Sequence, residues 1–83
     1  MRIALDYDGT YTSDPVLWLA FVELAQMRGH EIVCCTLRSP EEMNDMDAAF
    51  CAAVRVIPTS RQAKAKFCKA DVWIDDFPHQ ISG

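Results

Sequence analysis

The sequence is short of basic residues, of glycine and of long apolar runs, and each shortage closes off a class of function. Eight lysines and arginines stand against twelve aspartates and glutamates over 83 residues, a formal charge of −4. There is therefore no basic face with which to exchange counterions on nucleic acid or an anionic membrane. No apolar stretch approaches the ~18 residues that a membrane helix needs. The opening residues show no charged leader followed by an apolar segment and a small-residue cleavage site, so a cytoplasmic protein is expected. Three glycines and four prolines exclude collagen-like and low-complexity chains. The four cysteines, Cys34, Cys35, Cys51 and Cys68, include no Cys-x-x-Cys pair, and His30 and His79 lie far apart. Neither a zinc site nor a disulfide framework is expected from them, and the cysteines read as small buried hydrophobes.

What is present is an ordinary globular composition, 51% hydrophobic and 24% charged. The length accommodates one domain, 1–83, with a small core and modest stability. Arg2 to Tyr7 reads as a short apolar strand that runs into Asp6-Tyr7-Asp8-Gly9-Thr10. Ser13 is the expected N-cap of a first helix, in which Val16, Leu17, Ala20, Phe21, Leu24 and Met27 recur at helical spacing until Gly29. Glu31 to Leu37 holds the continuous apolar run of a strand buried on both faces, with Thr36 at its end. Ser39-Pro40-Glu41-Glu42 has the form of a cap and acidic first turn, opening a second helix whose buried stripe is Met43, Met46, Phe50 and Ala53. Val54 to Thr59 is a third strand. A third helix is expected from Thr59 or Ser60 through Lys69 with Ala63, Phe67 and Ala70 as its apolar face. Asp71 to Asp76 is the fourth strand, and the last five residues read as a frayed tail.

Strands and helices thus alternate, the pattern of a parallel sheet covered by helices, here a minimal three-layer α/β/α Rossmann-like arrangement of about four strands with no cap domain. In such sheets ligands bind beyond the carboxyl ends of the strands. Those ends carry Asp6 and Asp8, Thr36, and Asp75 and Asp76. Read as a calcium loop, Asp6 to Thr10 fails: the next ligand position is not acidic, the glycine comes early, and a β run precedes it. Four acids gathered at one sheet edge repel one another unless a cation sits among them, and carboxylate oxygens suit magnesium, which commonly works with phosphate.

With these residues in order along most of its length, the chain resembles the haloacid dehalogenase (HAD) superfamily of phosphohydrolases. Asp6-x-Asp8-Gly9-Thr10 is similar to motif I, Thr36 to motif II, a lysine within 64–69 to motif III, and Ile74-Asp75-Asp76 to the paired-acid form of motif IV. The resemblance implies a magnesium-dependent (Mg2+) phosphatase acting on a phosphorylated substrate. Asp6 would be the nucleophile, Asp8 the general acid and base, and Thr36 a donor to a phosphoryl oxygen. The ion would be held by the Asp6 side chain, the Asp8 backbone carbonyl and Asp76, with Asp75 nearby. Lys64 is favoured over Lys66 for the cation that faces the phosphoryl oxygens, since it lies on the first turn after the strand. Arg38 is placed to help hold the substrate, or is simply an exposed loop arginine. Tyr7 and Tyr11 either line the rim of the cleft or pack inside. Two other classes compete: a catalytically weak binding or regulatory module, and a phospho-accepting receiver domain, for which the Asp-x-Asp-Gly-Thr turn is wrong.

Overall fold

Four short runs, each apolar on both sides, pair side by side because a parallel strand covered on both faces has no need of polar alternation. The computed structural model describes residues 1–82. In it β1 (Arg2–Leu5), β2 (Glu31–Thr36), β3 (Arg55–Pro58) and β4 (Val72–Ile74) form one all-parallel sheet in the order β3-β2-β1-β4. Ile3 stands beside Ile32 on one side and Val72 on the other, and Cys34 stands beside Val56. The chain winds outward from β1 through β2 to β3, then returns to the far side of β1 for β4. This reversal opens a crevice at the carboxyl ends of β1 and β4, the place where open α/β sheets bind ligands.

Side chains alternate across the sheet. Ile3, Leu5, Ile32 and Cys34 face a core closed by Val22 and Ala25 of α1 (Pro15–Met27), Phe50 of α2 (Ala48–Ala53) and Met46 just before α2. Ala4, Val33 and Cys35 face a smaller cluster with Cys68, Trp73 and Ala70. All four cysteines are free thiols, three of them buried. Tyr7 and Tyr11 are core residues rather than the rim of a cleft: their rings stack at 5.3 Å, and Tyr11 lies 4.1 Å from Phe50. Tyr11 donates to Asp47 at 2.5 Å, and Tyr7 accepts from the Asp47 N–H at 2.8 Å, which ties the β1 turn to the start of α2.

The helical layers depart from the sequence expectation in five places. The side chain of Asp14, not Ser13, accepts the Leu17 N–H and caps α1. The face that α1 buries is Val22 and Ala25 with Trp18, Leu19 and Phe21, so of the expected stripe only Phe21 turns inward, and Val16, Leu17, Ala20, Leu24 and Met27 point outward. The helix is apolar nearly all round, and periodicity alone does not choose its inner face. The second helix is split: Ser39 and Glu42 form their capping box around a single 3-10 turn, Pro40–Glu42, and α2 starts afresh at its own cap, Asp47. Asn44 and Asp45 between them favour turns over helix interiors.

The third helix is absent as such. Ser60 and Arg61 adopt left-handed φ values of 53° and 67°, which a helix cannot include, and donate their N–H groups to Arg38 and Leu37. Only a 3-10 turn, Lys64–Lys66, follows, Phe67 is exposed, and Cys68 takes the buried place expected of it. The second face therefore has a loop where a long helix was expected, so the arrangement is Rossmann-like without a full third layer. The tail, in turn, is ordered into α3 (His79–Ser82), which packs on the Lys64–Lys66 turn.

Phe50 is fully buried between Tyr7, Tyr11 and the sheet. Phe50→Ala is expected to cost about 3–5 kcal/mol, read as a shift of the urea midpoint with an unchanged slope.

Candidate functional site

The site begins where β1 ends. Asp6 continues the pairing with β4 through its N–H to the Ile74 carbonyl, 2.9 Å. Its own carbonyl then accepts from Tyr11, and that of Tyr7 from Thr12, closing a one-turn loop. Gly9 sits in that loop at φ +87°, and a Cβ there would lie 2.4 Å from an Asp76 carboxylate oxygen. Glycine is thus required twice, by backbone conformation and by the close approach of the second acidic pair. Thr10 links the two strand ends: its hydroxyl lies 3.1 Å from Asp6 Oδ2 and 3.2 Å from Asp76 Oδ1, and accepts the Asp76 N–H.

Lys64 completes the group. Its side chain is 1% exposed, with Nζ 2.7 Å from Asp6 Oδ1 and 2.5 Å from Asp75 Oδ2. Lys66 and Lys69, the other candidates in that stretch, are exposed. Burial lowers the affinity of the Lys64 ammonium for its proton, but the hydrogen bonds and charges of Asp6 and Asp75 outweigh this and leave it above its ordinary range. Burial likewise pushes the Asp6 carboxyl up to about 6; Lys64 opposes the shift and the neighbouring Asp75 and Asp76 reinforce it. Asp76, at the surface, is held below the usual carboxylate range by hydrogen bonding with Asp6, and Thr10 acts in the same direction.

One oxygen each from Asp6, Asp75 and Asp76 lie within 4.8 Å of one another. These are hard carboxylate donors of the kind that suit magnesium or calcium. Three carboxylates against one ammonium leave two negative charges in excess, the charge of one divalent cation. The residues present therefore fit such an ion. Thr36 lies buried at the end of β2 and borders the same cleft, of about 300 Å³, together with Asp6, Asp8 and Asp76. Its Oγ1 accepts the Arg38 N–H at 3.3 Å, which leaves the hydroxyl proton free to donate.

Asp8 stands apart from this group. Both its carboxylate oxygens accept from Arg38, at 2.8 and 2.9 Å, and the same guanidinium reaches Asp45 at 2.5 Å and the Glu42 carbonyl at 2.8 Å. The guanidinium also lies 5.2 Å from the centre of the Tyr7 ring. Arg38 is thus an organised element of the site rather than a free loop arginine. Asp45 and Thr10 are the two contributors that sequence reading assigned no role; Thr10 stands in the motif, whereas nothing local marks Asp45. Beyond Asp8 a wider recess of about 480 Å³ is bordered by Arg38, Glu42, Asp45 and Arg61, with Arg61 paired to Glu42.

Two predictions follow from the buried pairings. Lys64→Met leaves Asp6 and Asp75 facing each other without a cation and is expected to cost about 3–5 kcal/mol, measured by denaturant titration in chelator. The second concerns pH. An unfolded aspartate titrates near ~3.9, below the folded-state Asp6 value of about 6. Folded protein therefore holds the extra proton between them, and the Asp6 contribution to stability, present at about pH 4, is lost as the pH rises through 6. Metal-free wild type is expected to show this decline in melting temperature, and Asp6→Asn to flatten it; an equal decline in both would contradict the assignment.

Compared with models of known protein families, with curated proteins and with solved structures, the chain matches none.

Proposed function

We propose that this chain is a magnesium-dependent phosphomonoester hydrolase working through an aspartyl-phosphate on Asp6, in the manner of the HAD superfamily that its motifs resemble. The observation that carries the reading is the buried Lys64, bonded to Asp6 and Asp75 at the carboxyl ends of β1 and β4. A cation fixed beside a strand-end carboxylate, with two more acids within reach of one metal ion, is the equipment that phosphoryl transfer needs.

In this reading Asp6 attacks phosphorus while Asp8 gives a proton to the departing ester oxygen, so that an acyl phosphate forms as the ester bond breaks. Asp8 then takes a proton from the water that attacks phosphorus, the bond from phosphorus to the Asp6 oxygen breaks, inorganic phosphate leaves, and the Asp6 carboxylate is regenerated. Lys64 offsets the negative charge of the phosphoryl oxygens and holds Asp6 in place, and Thr36 donates its hydroxyl proton to one of them. Magnesium, which would be held by the Asp6 and Asp76 side chains and the Asp8 backbone carbonyl with Asp75 beside them, would supply a Lewis acid for the phosphoryl group. Arg38 has two anions to choose between, Asp8 and the substrate phosphate; moving to the latter frees Asp8 for proton transfer. The substrate is a phosphomonoester, and a cytoplasmic setting is part of the proposal.

A second reading, a phosphate-binding module with little turnover, is favoured by one observation: the bidentate hold of Arg38 on Asp8. Assay of an aryl phosphate with and without magnesium separates the two. The hydrolase reading predicts magnesium-dependent release of phosphate, lost in Asp6→Asn while circular dichroism stays that of wild type. Magnesium at a hundredfold excess over its dissociation constant should also add about 2.7 kcal/mol of stability, or several degrees in melting temperature. Phosphate binding without turnover selects the module.

A further inference from the structure

The outward face of α1 is the part of the molecule whose chemistry the site does not account for. Val16 is 81% exposed and Met27 84%, with Leu17 and Leu24 more than half exposed. Ala20 lies exposed among them. At 100° per residue Leu17, Ala20, Leu24 and Met27 form one continuous stripe along a helix about 20 Å long. Their spacing of three, four and three is that of alternating seam positions in paired helices. Glu23 is the only charged residue within α1.

We propose that this face pairs with the same face of a second copy of the chain, α1 against α1, antiparallel about a two-fold axis. Three features of the helix select that occupant. First, the stripe is self-complementary when reversed: Leu17 meets Met27 of the second copy and Ala20 meets its Leu24, so the small side chain at the middle admits the large one. Second, Asp14 and Arg28 flank the two ends of the stripe, both exposed. Asp14 directs one carboxylate oxygen to its cap, and Arg28 is in none of the ion pairs found among the described residues. In that register each Asp14 comes within two residues of the position opposite Arg28, so two such pairs form at the ends, with Glu23 near the axis facing its own copy, whereas a parallel pair sets like beside like throughout. Third, with Leu17, Leu24 and Met27 each more than half exposed, roughly 400 Å² of the stripe is open per copy and about 800 Å² for two, so Val16 and the flanking side chains must join it to reach the ~1,000 Å² of a specific interface. The catalytic cleft lies at the strand ends and takes no part.

The test is sedimentation equilibrium of the full chain across a concentration series, with Leu24→Glu as the variant. Leu24 is already exposed in the single chain, so the variant is expected to keep its circular dichroism and melting profile at low concentration. Wild type should reach twice the protomer mass, and Leu24→Glu should weaken association about a hundredfold or more. A mixture of Leu17→Cys and Met27→Cys chains, oxidised, should cross-link unlike with unlike. Wild type that stays monomeric throughout, a dimer indifferent to Leu24→Glu, or cross-links that join like with like would each overturn the proposal.

Discussion

The ammonium of Lys64, buried between Asp6 and Asp75, is the interaction on which the rest of the site depends. It bridges residues from the ends of β1 and β4, the two strands between which the winding reverses. Without it two carboxylates would be buried side by side, a cost that a domain of this size has little stability to absorb. The same contact explains the connection between β3 and β4. A long helix there would lie across the sheet face, whereas the tight 3-10 turn after the left-handed Ser60 and Arg61 delivers Lys64 to the sheet edge.

The site is also anchored from the core outward. Tyr7 sits between the two acids of the β1 turn and Tyr11 follows the turn, and both are buried against Phe50 while bonding to Asp47. The turn that carries Asp6, Asp8 and Thr10 is therefore held by α2 from beneath and by Asp76 from beside it, with Gly9 leaving no space for a side chain between. Arg38 adds a constraint from the β2 end, where one guanidinium gathers Asp8, Asp45 and the Glu42 carbonyl. Tyr7, Tyr11, Phe50 and Asp47 thus fix the turn from the core, while Lys64, Asp76 and Arg38 fix its carboxylates from the rim.

The strands were legible in the sequence to within one or two residues, because apolar runs bounded by charged or turn-forming residues have few other readings. That Asp6, Asp75 and Asp76 come together was legible for the related reason that strand ends in a parallel sheet converge, whereas Lys64 was singled out on a helix turn that the structure replaces with a loop and a 3-10 turn. The helices were not. The buried face of α1 could not be read because Trp18, Leu19 and Val22 compete with Leu17, Leu24 and Met27 on equal terms, and only Phe21 belongs to both the expected and the observed face. The loop in place of a third helix depends on Lys64 reaching residues 58 and 11 positions away, and on left-handed backbone at a serine and an arginine, which no local pattern marks. The hold of Arg38 on Asp8 was hidden likewise, since it joins loops 30 residues apart.

The central claim is that the Asp6 carboxylate, held by Lys64, is the group that takes the phosphoryl. Its most direct test is to quench the protein during turnover of an aryl phosphate with magnesium present, reduce with borohydride, and map the modified residue by mass spectrometry. Reduction of an acyl phosphate converts that aspartate to homoserine. The account predicts the conversion at residue 6, dependent on both magnesium and substrate. Conversion at Asp8, Asp75 or Asp76 instead, or turnover with no modified aspartate at any time, would contradict it.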